Sequence, residues 1–163
     1  MLSTKFGETK CYRVLDVCPD IFPFVNQAYG TASNLFYGTT LISSECGCQQ
    51  GDPLGSFLFS LSIHSIVDSI NLPLNIWYLD DATIGGPPED VAEALKQIII
   101  DAEEVGLSPN FKKCEMKLWN TEQTEYKSLF QELAPGIEEI HDEDATLLGS
   151  ALSEEAISSI LNQ

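Results

Sequence analysis

The chain's pattern predicts an α+β layer with an antiparallel sheet. Three observations carry that expectation. Apolar residues recur at helical spacing in several separate stretches. Between them, short β-rich runs come in adjacent pairs around turn residues, which marks hairpins. Helices and hairpins are interspersed without regular βαβ alternation, which favours an α+β layer.

In chain order, residues Met1 to Asp20 show no clean periodicity. Tyr12-Arg13-Val14-Leu15 suits the end of a helix or a short strand, and Pro19 stops either. Phe22 to Tyr29 reads as a short helix closed by Gly30, with Phe22, Val25 and Tyr29 on one face. Asn34 to Tyr37 and Thr40 to Ser43 form a hairpin across Gly38. A glycine-rich loop, Glu45 to Gly55, then opens a helix, with Asp52 placed to N-cap it and Pro53 at its first position. That helix carries Leu58, Leu61, Ile66, Val67 and Ile70 and ends before Pro73. His64 on it reads as a structural residue.

Next comes Asn75-Ile76-Trp77-Tyr78-Leu79-Asp80-Asp81-Ala82-Thr83-Ile84-Gly85-Gly86, a second hairpin with two carboxylates at or beside its turn. Pro87 and Pro88 introduce a helix with Val91, Leu95, Ile98, Ala102 and Val105 at helical spacing. Glu89 and Asp90 suit its N-terminal dipole, and Gly106 closes it. Lys112 to Leu118 alternates as a half-solvated strand and holds the chain's basic cluster. Glu122 to Leu133 is a further helix, ended by Pro135-Gly136. Ile137 to Ile140 and Thr146 to Leu148 pair around the acidic turn Asp142-Glu143-Asp144, and Ser153 N-caps a last helix, Glu154 to Leu161.

Composition bounds the function. The 163 residues, 44% of them hydrophobic, make one domain with a sizeable core. No apolar run approaches a membrane span and no N-terminal segment has the parts of a signal peptide, so a soluble, intracellular chain is expected, in nucleus or cytoplasm. Five cysteines, Cys11, Cys18, Cys46, Cys48 and Cys114, form an odd, scattered set without zinc-knuckle spacing and read as buried free thiols. Eight basic residues against 25 acidic ones give a net charge of -17. Such a surface repels phosphate backbones. Any nucleic-acid role must rest on a local site, on metal ions or on basic segments this chain lacks.

Asp80 and Asp81 are the sharpest local signal. Two adjacent carboxylates at a turn cannot both be buried and charged without water or a counter-ion, and Mg²⁺ takes such hard oxygen ligands. An ordinary solvated acidic turn fits the same residues.

Three stretches together carry a resemblance. Gly47-Cys48-Gln49-Gln50-Gly51-Asp52-Pro53-Leu54-Gly55, Trp77-Tyr78-Leu79-Asp80-Asp81 and Gly106-Leu107-Ser108-Pro109-Asn110-Phe111-Lys112-Lys113-Cys114-Glu115 stand in the order found in reverse transcriptases of non-LTR (LINE-like) retrotransposons. The chain resembles the palm of that family over roughly Pro23 to Ser150. Thr146-Leu147-Leu148-Gly149-Ser150 is similar to the family's palm-to-thumb hairpin.

The resemblance implies a ferredoxin-like palm, an antiparallel sheet backed by helices, and RNA-directed DNA polymerase activity, in which a primer 3′-hydroxyl attacks the α-phosphate of a deoxynucleotide. It implies Mg²⁺ (or Mn²⁺) as cofactor, with Asp80 and Asp81 as catalytic metal ligands. Tyr78 and Leu79 would pack against primer and nucleotide, and Gln50 and Gly51 would lie along the template and the nucleotide sugar. Lys112 or Lys113 would approach the triphosphate. RNA template, DNA primer and deoxynucleotide are the implied partners, with weak nucleic-acid binding expected of this acidic chain alone and no membrane partner. The family's other metal-binding aspartate, in Asp-x-x-Asn-Ala-Phe-Asn-like surroundings, has no counterpart here. Met1 is expected to fall just downstream of it, an N-terminal truncation, and fingers and thumb are lacking too. The isolated chain is therefore expected to be inactive. The alternatives are a retrotransposon relic and a non-catalytic acidic interaction module on a palm scaffold.

Overall fold

The computed structural model describes residues 14, 16–44, 47–48, 51–119, 124–147, 150–155 and 157. Four α-helices are set among them: α1 (Phe22–Tyr29), α2 (Gly55–Ser69), α3 (Pro88–Glu104) and α4 (Thr124–Leu133). Eight strands accompany them: β1 (Ser33–Tyr37), β2 (Thr40–Ser44), β3 (Leu74–Tyr78), β4 (Asp81–Gly85), β5 (Glu115–Met116), β6 (Glu138–Glu139), β7 (Thr146–Leu147) and β8 (Ser150–Ala151). The class is α+β. No described helix is long and apolar enough to cross a membrane.

The chain divides into two compact units. The first comprises Met1–Asn71, Trp77–Ala82 and Ile100–Ser108. Its core joins α1 to α2: Val14, Val25 and Leu58 are fully buried, with Phe22, Tyr29, Leu54, Phe57 and Leu61 packed around them. Burying each such aliphatic side chain contributes about 1.5–3 kcal/mol, which holds the two helices against their conformational entropy. Ser62 lies buried on α2 and donates to the Leu58 carbonyl at 2.7 Å, so its hydroxyl is satisfied within the helix. Near the end of α3, Leu107 N–H donates to Ala102 O and Gly106 N–H to Glu103 O, at 2.8 and 3.0 Å. This is the Schellman arrangement expected of a glycine at that place.

The second unit comprises Leu72–Ile76, Thr83–Ile99 and Pro109–Gln163. Ala92, Met116 and Phe130 are its buried centre, with Val91, Leu95, Tyr126, Leu129, Leu133 and Ile137 against them. The apolar stripes of α3 and α4 therefore close over β5. Lys117 pairs with Asp142 at 2.7 Å, and Lys127 with Glu139. Tyr126 donates its phenol to Glu89 at the start of α3.

Each sheet among the described residues has two strands, in the orders β1-β2, β3-β4, β5-β6 and β7-β8. The described residues thus form no continuous palm sheet. The strand expected over Lys112 to Leu118 shrinks to β5, because Phe111–Lys113 forms a 3₁₀ turn instead. Nor do Ile137 to Ile140 and Thr146 to Leu148 pair with each other. β6 pairs with β5 in parallel, extended by Ile140 N–H to Met116 O at 2.9 Å, while β7 pairs antiparallel with β8. The physical reason lies in α4: it carries the chain back alongside β5 in the same direction, and a helical crossover is what a parallel pair requires. Residues 122–123, 148–149 and most of 154–161 in the expected C-terminal elements lie outside the described residues.

Candidate metal and nucleotide site

The acidic hairpin is built by β3, a two-residue turn of Leu79 and Asp80, and β4. So short a connection compels antiparallel pairing. The strands hold together closely at the base: a Cβ on Gly85 would meet Leu74 Cδ2 at 3.2 Å, and one on Gly86 would meet Pro73 Cδ at 3.0 Å. Glycine at both places lets the backbones approach.

At the tip, Asp80 and Asp81 are both exposed, and Tyr78 is 64% exposed. Leu79 is half-buried and adopts φ 55°, the positive-φ conformation among the described non-glycine residues. A positive φ at the first central position alone is the φ pattern of a II′ hairpin turn, where glycine is the usual occupant. A leucine there stores roughly 1–2 kcal/mol of backbone strain. Such strain concentrates at functional sites.

The hairpin tip, Trp77–Ala82, and the glycine-rich loop belong to the same compact unit. Gln50 lies outside the described residues. Gly51 is exposed with φ 87°, a left-handed turn that only glycine adopts freely. The Asp52 carboxylate accepts Leu54 N–H at 2.9 Å through Oδ1 and the Tyr29 phenol through Oδ2. These donors hold its pKa below the ordinary carboxylate value, the Tyr29 hydroxyl most strongly and Leu54 N–H next.

The expected N-cap at Asp52 is corrected here. Asp52 closes an Asx turn onto Leu54, and α2 begins at Gly55, with Gly55 N–H on Asp52 O and Leu58 N–H on Leu54 O, each at 2.9 Å. Tyr29 is the residue that sequence reasoning missed. It read as one member of an apolar helix face, and nothing local ties it to a carboxylate 23 residues away.

Lys112 and Lys113 are exposed on the 3₁₀ turn Phe111–Lys113 and belong to the second unit. Among the described residues no group of three or more His, Cys, Asp or Glu side chains is arranged to hold a metal ion. Asp80 and Asp81 form a pair. One or two carboxylates with substrate phosphates is a donor set that Mg²⁺ takes.

The chain matches no protein-family model, no curated protein and no solved structure with which it was compared.

Proposed function

We propose that this chain is the palm-type portion of an RNA-directed DNA polymerase, of the kind found in non-LTR retrotransposons. The observation that carries the reading is the acidic hairpin: two exposed carboxylates at a strained two-residue turn, in one compact unit with the glycine-rich loop. Asp80 and Asp81 are the metal-binding pair. When bound, Mg²⁺ or Mn²⁺ supplies activation of a primer hydroxyl and neutralises the leaving pyrophosphate. Tyr78, largely exposed beside the pair, presents a flat apolar face suited to a sugar or base. Gln50 and Gly51 are assigned to template and nucleotide sugar from the motif, and Lys112 or Lys113 to the triphosphate.

One carboxylate pair gives too few protein oxygens to place two ions, and a chain of net charge -17 holds phosphate backbones poorly. The 163-residue chain alone is therefore expected to bind metal at the hairpin without extending a primer. The same charge favours the second reading, an acidic module for protein partners on a palm scaffold.

Mn²⁺ titration followed by NMR separates the two. On the palm reading, the amide signals of Tyr78 to Ala82 broaden before those of the acidic turn Asp142-Glu143-Asp144. Adding deoxynucleotide with an RNA–DNA primer–template strengthens the effect, and Asp80→Ala removes it. Broadening spread evenly over acidic surface, indifferent to nucleotide, decides for the protein-binding module. In a primer-extension assay with Mg²⁺ or Mn²⁺ the chain gives no product; robust synthesis lost in Asp80→Ala would overturn the expected inactivity.

A further inference from the structure

The hairpin β1–β2 is apolar and exposed on both faces. Its register pairs Leu35 with Ile42 and Tyr37 with Thr40 on one face, and Phe36 with Leu41 on the other. Phe36 is 75% exposed and Tyr37 78%, and Leu35, Leu41 and Ile42 are exposed too. A two-stranded ribbon alone in water is marginally stable, and sheet edges in soluble proteins are normally blunted by a lysine, a proline or a bulge. None stands in β1 or β2, whose five residue pairs run without interruption. With Tyr37 and Thr40 flanking the two-residue turn, the alternation of an antiparallel ladder directs the backbone of Phe36 and Leu41 outward.

Charge narrows what can cover this surface. No Asp, Glu, Lys or Arg occurs from Ile21 to Ser44, in a chain whose net charge is -17. With no Lys or Arg in this run the hairpin lacks the charge that draws a phosphate backbone, which disfavours a nucleic-acid partner. An uncharged apolar strand is its complement, and β1 itself is one. The run from Ile21 to Ser44 is the longest in the chain without a carboxylate, so contact there brings together the least like charge. Meeting at β1, they bring together residues far in sequence from any charge, whereas β2 runs directly into Glu45. We propose that β1 is the edge by which two copies of this chain associate, antiparallel about a two-fold axis, to make a four-stranded sheet.

Edge pairing joins the main chains of β1 and brings together only the flanks of its side chains, since both faces of a four-stranded sheet stay open, so it buries only part of the exposed apolar area. A stable interface takes about 800 Å² per partner. The dimer is accordingly weak and concentration-dependent. Growth beyond two copies is opposed by the charge that each added chain brings.

Sedimentation equilibrium of the full chain tests this. Apolar attraction opposed by like charge makes association tighten several-fold as salt rises from about 10 mM to about 1 M, which shortens the screening length from about 30 Å to about 3 Å. Phe36→Lys leaves a monomer at both salts, and Leu35→Thr with Tyr37→Thr, which keeps strand propensity, weakens association. Ile100→Lys, an exposed apolar position on α3, changes nothing. Helical circular dichroism unchanged in all variants shows that they fold. A monomer at every salt, an association that loosens with salt, assembly past the dimer, or a dimer indifferent to Phe36→Lys would each overturn the proposal.

Discussion

Leu79 does not suit the backbone it occupies, and that makes it informative. At φ 55° a side chain crowds its own carbonyl, whereas glycine does not. In ordinary strands alanine is more stable than glycine by roughly 0.5–1 kcal/mol. At this turn the order reverses. Leu79→Ala and Leu79→Gly both lose the half-buried leucine side chain, so their difference isolates the backbone. Leu79→Gly is expected to be the more stable by about 1 kcal/mol in urea unfolding. An alanine variant as stable as the glycine one would show that the turn is unstrained. Retaining leucine keeps a half-buried apolar side chain beside the carboxylates, at a cost in stability.

At the scale of elements, the junction between the glycine-rich loop and α2 depends on one carboxylate. Asp52 receives the Tyr29 phenol from α1 and Leu54 N–H from its own turn, and both favour its ionised form. A lowered folded pKa means stability that is fully present above the unfolded value and lost as pH falls through the folded one. The junction therefore loosens below about pH 4, the ordinary Asp range. Glu89, held low chiefly by the Tyr126 phenol, and Glu139, held low chiefly by Lys127, act in the same direction in the second unit. Tyr29→Phe removes the larger cause at Asp52. Its carboxyl carbon, followed by NMR, should then titrate at higher pH, while Glu139 is unmoved. An Asp52 titration unchanged in Tyr29→Phe would detach the phenol from the loop.

The same junction shows what the chain's pattern could and could not disclose. Helices α1, α2 and α3 were legible because apolar residues repeat over two or more turns, and the acidic hairpin because apolar runs flank a two-residue turn. The start of α2 was displaced because Asp52 serves equally as a helix cap or an Asx turn. The parallel pairing of β5 with β6 left no trace, since two-residue strands have no period and only α4 brings them together. Of the candidate site, the carboxylates and glycines stand in one local string each. The phenol that organises the loop comes from a separate helix and is found only once the chain is folded.

Charge is a property of the whole molecule, and here it opposes compactness. A net charge of -17 over 163 residues repels itself in the folded state more than in the expanded one. Exposed pairs such as Lys127 with Glu139 relieve little of this, about 0–1 kcal/mol each. Salt should therefore raise the thermal midpoint, as the screening length falls from about 30 Å at 10 mM to about 8 Å at 150 mM. Most proteins with balanced surfaces respond weakly over that range. Mg²⁺ at matched ionic strength then distinguishes general screening from a site. A cation held at the acidic hairpin stabilises further by mass action, by an amount set by its concentration over its dissociation constant. Asp80→Ala should keep the response to sodium chloride and lose the additional response to Mg²⁺. A variant with the full Mg²⁺ response would place divalent binding on the acidic surface at large and leave the hairpin an ordinary turn. The comparison thus separates what the excess carboxylates do collectively from what Asp80 and Asp81 do as a pair.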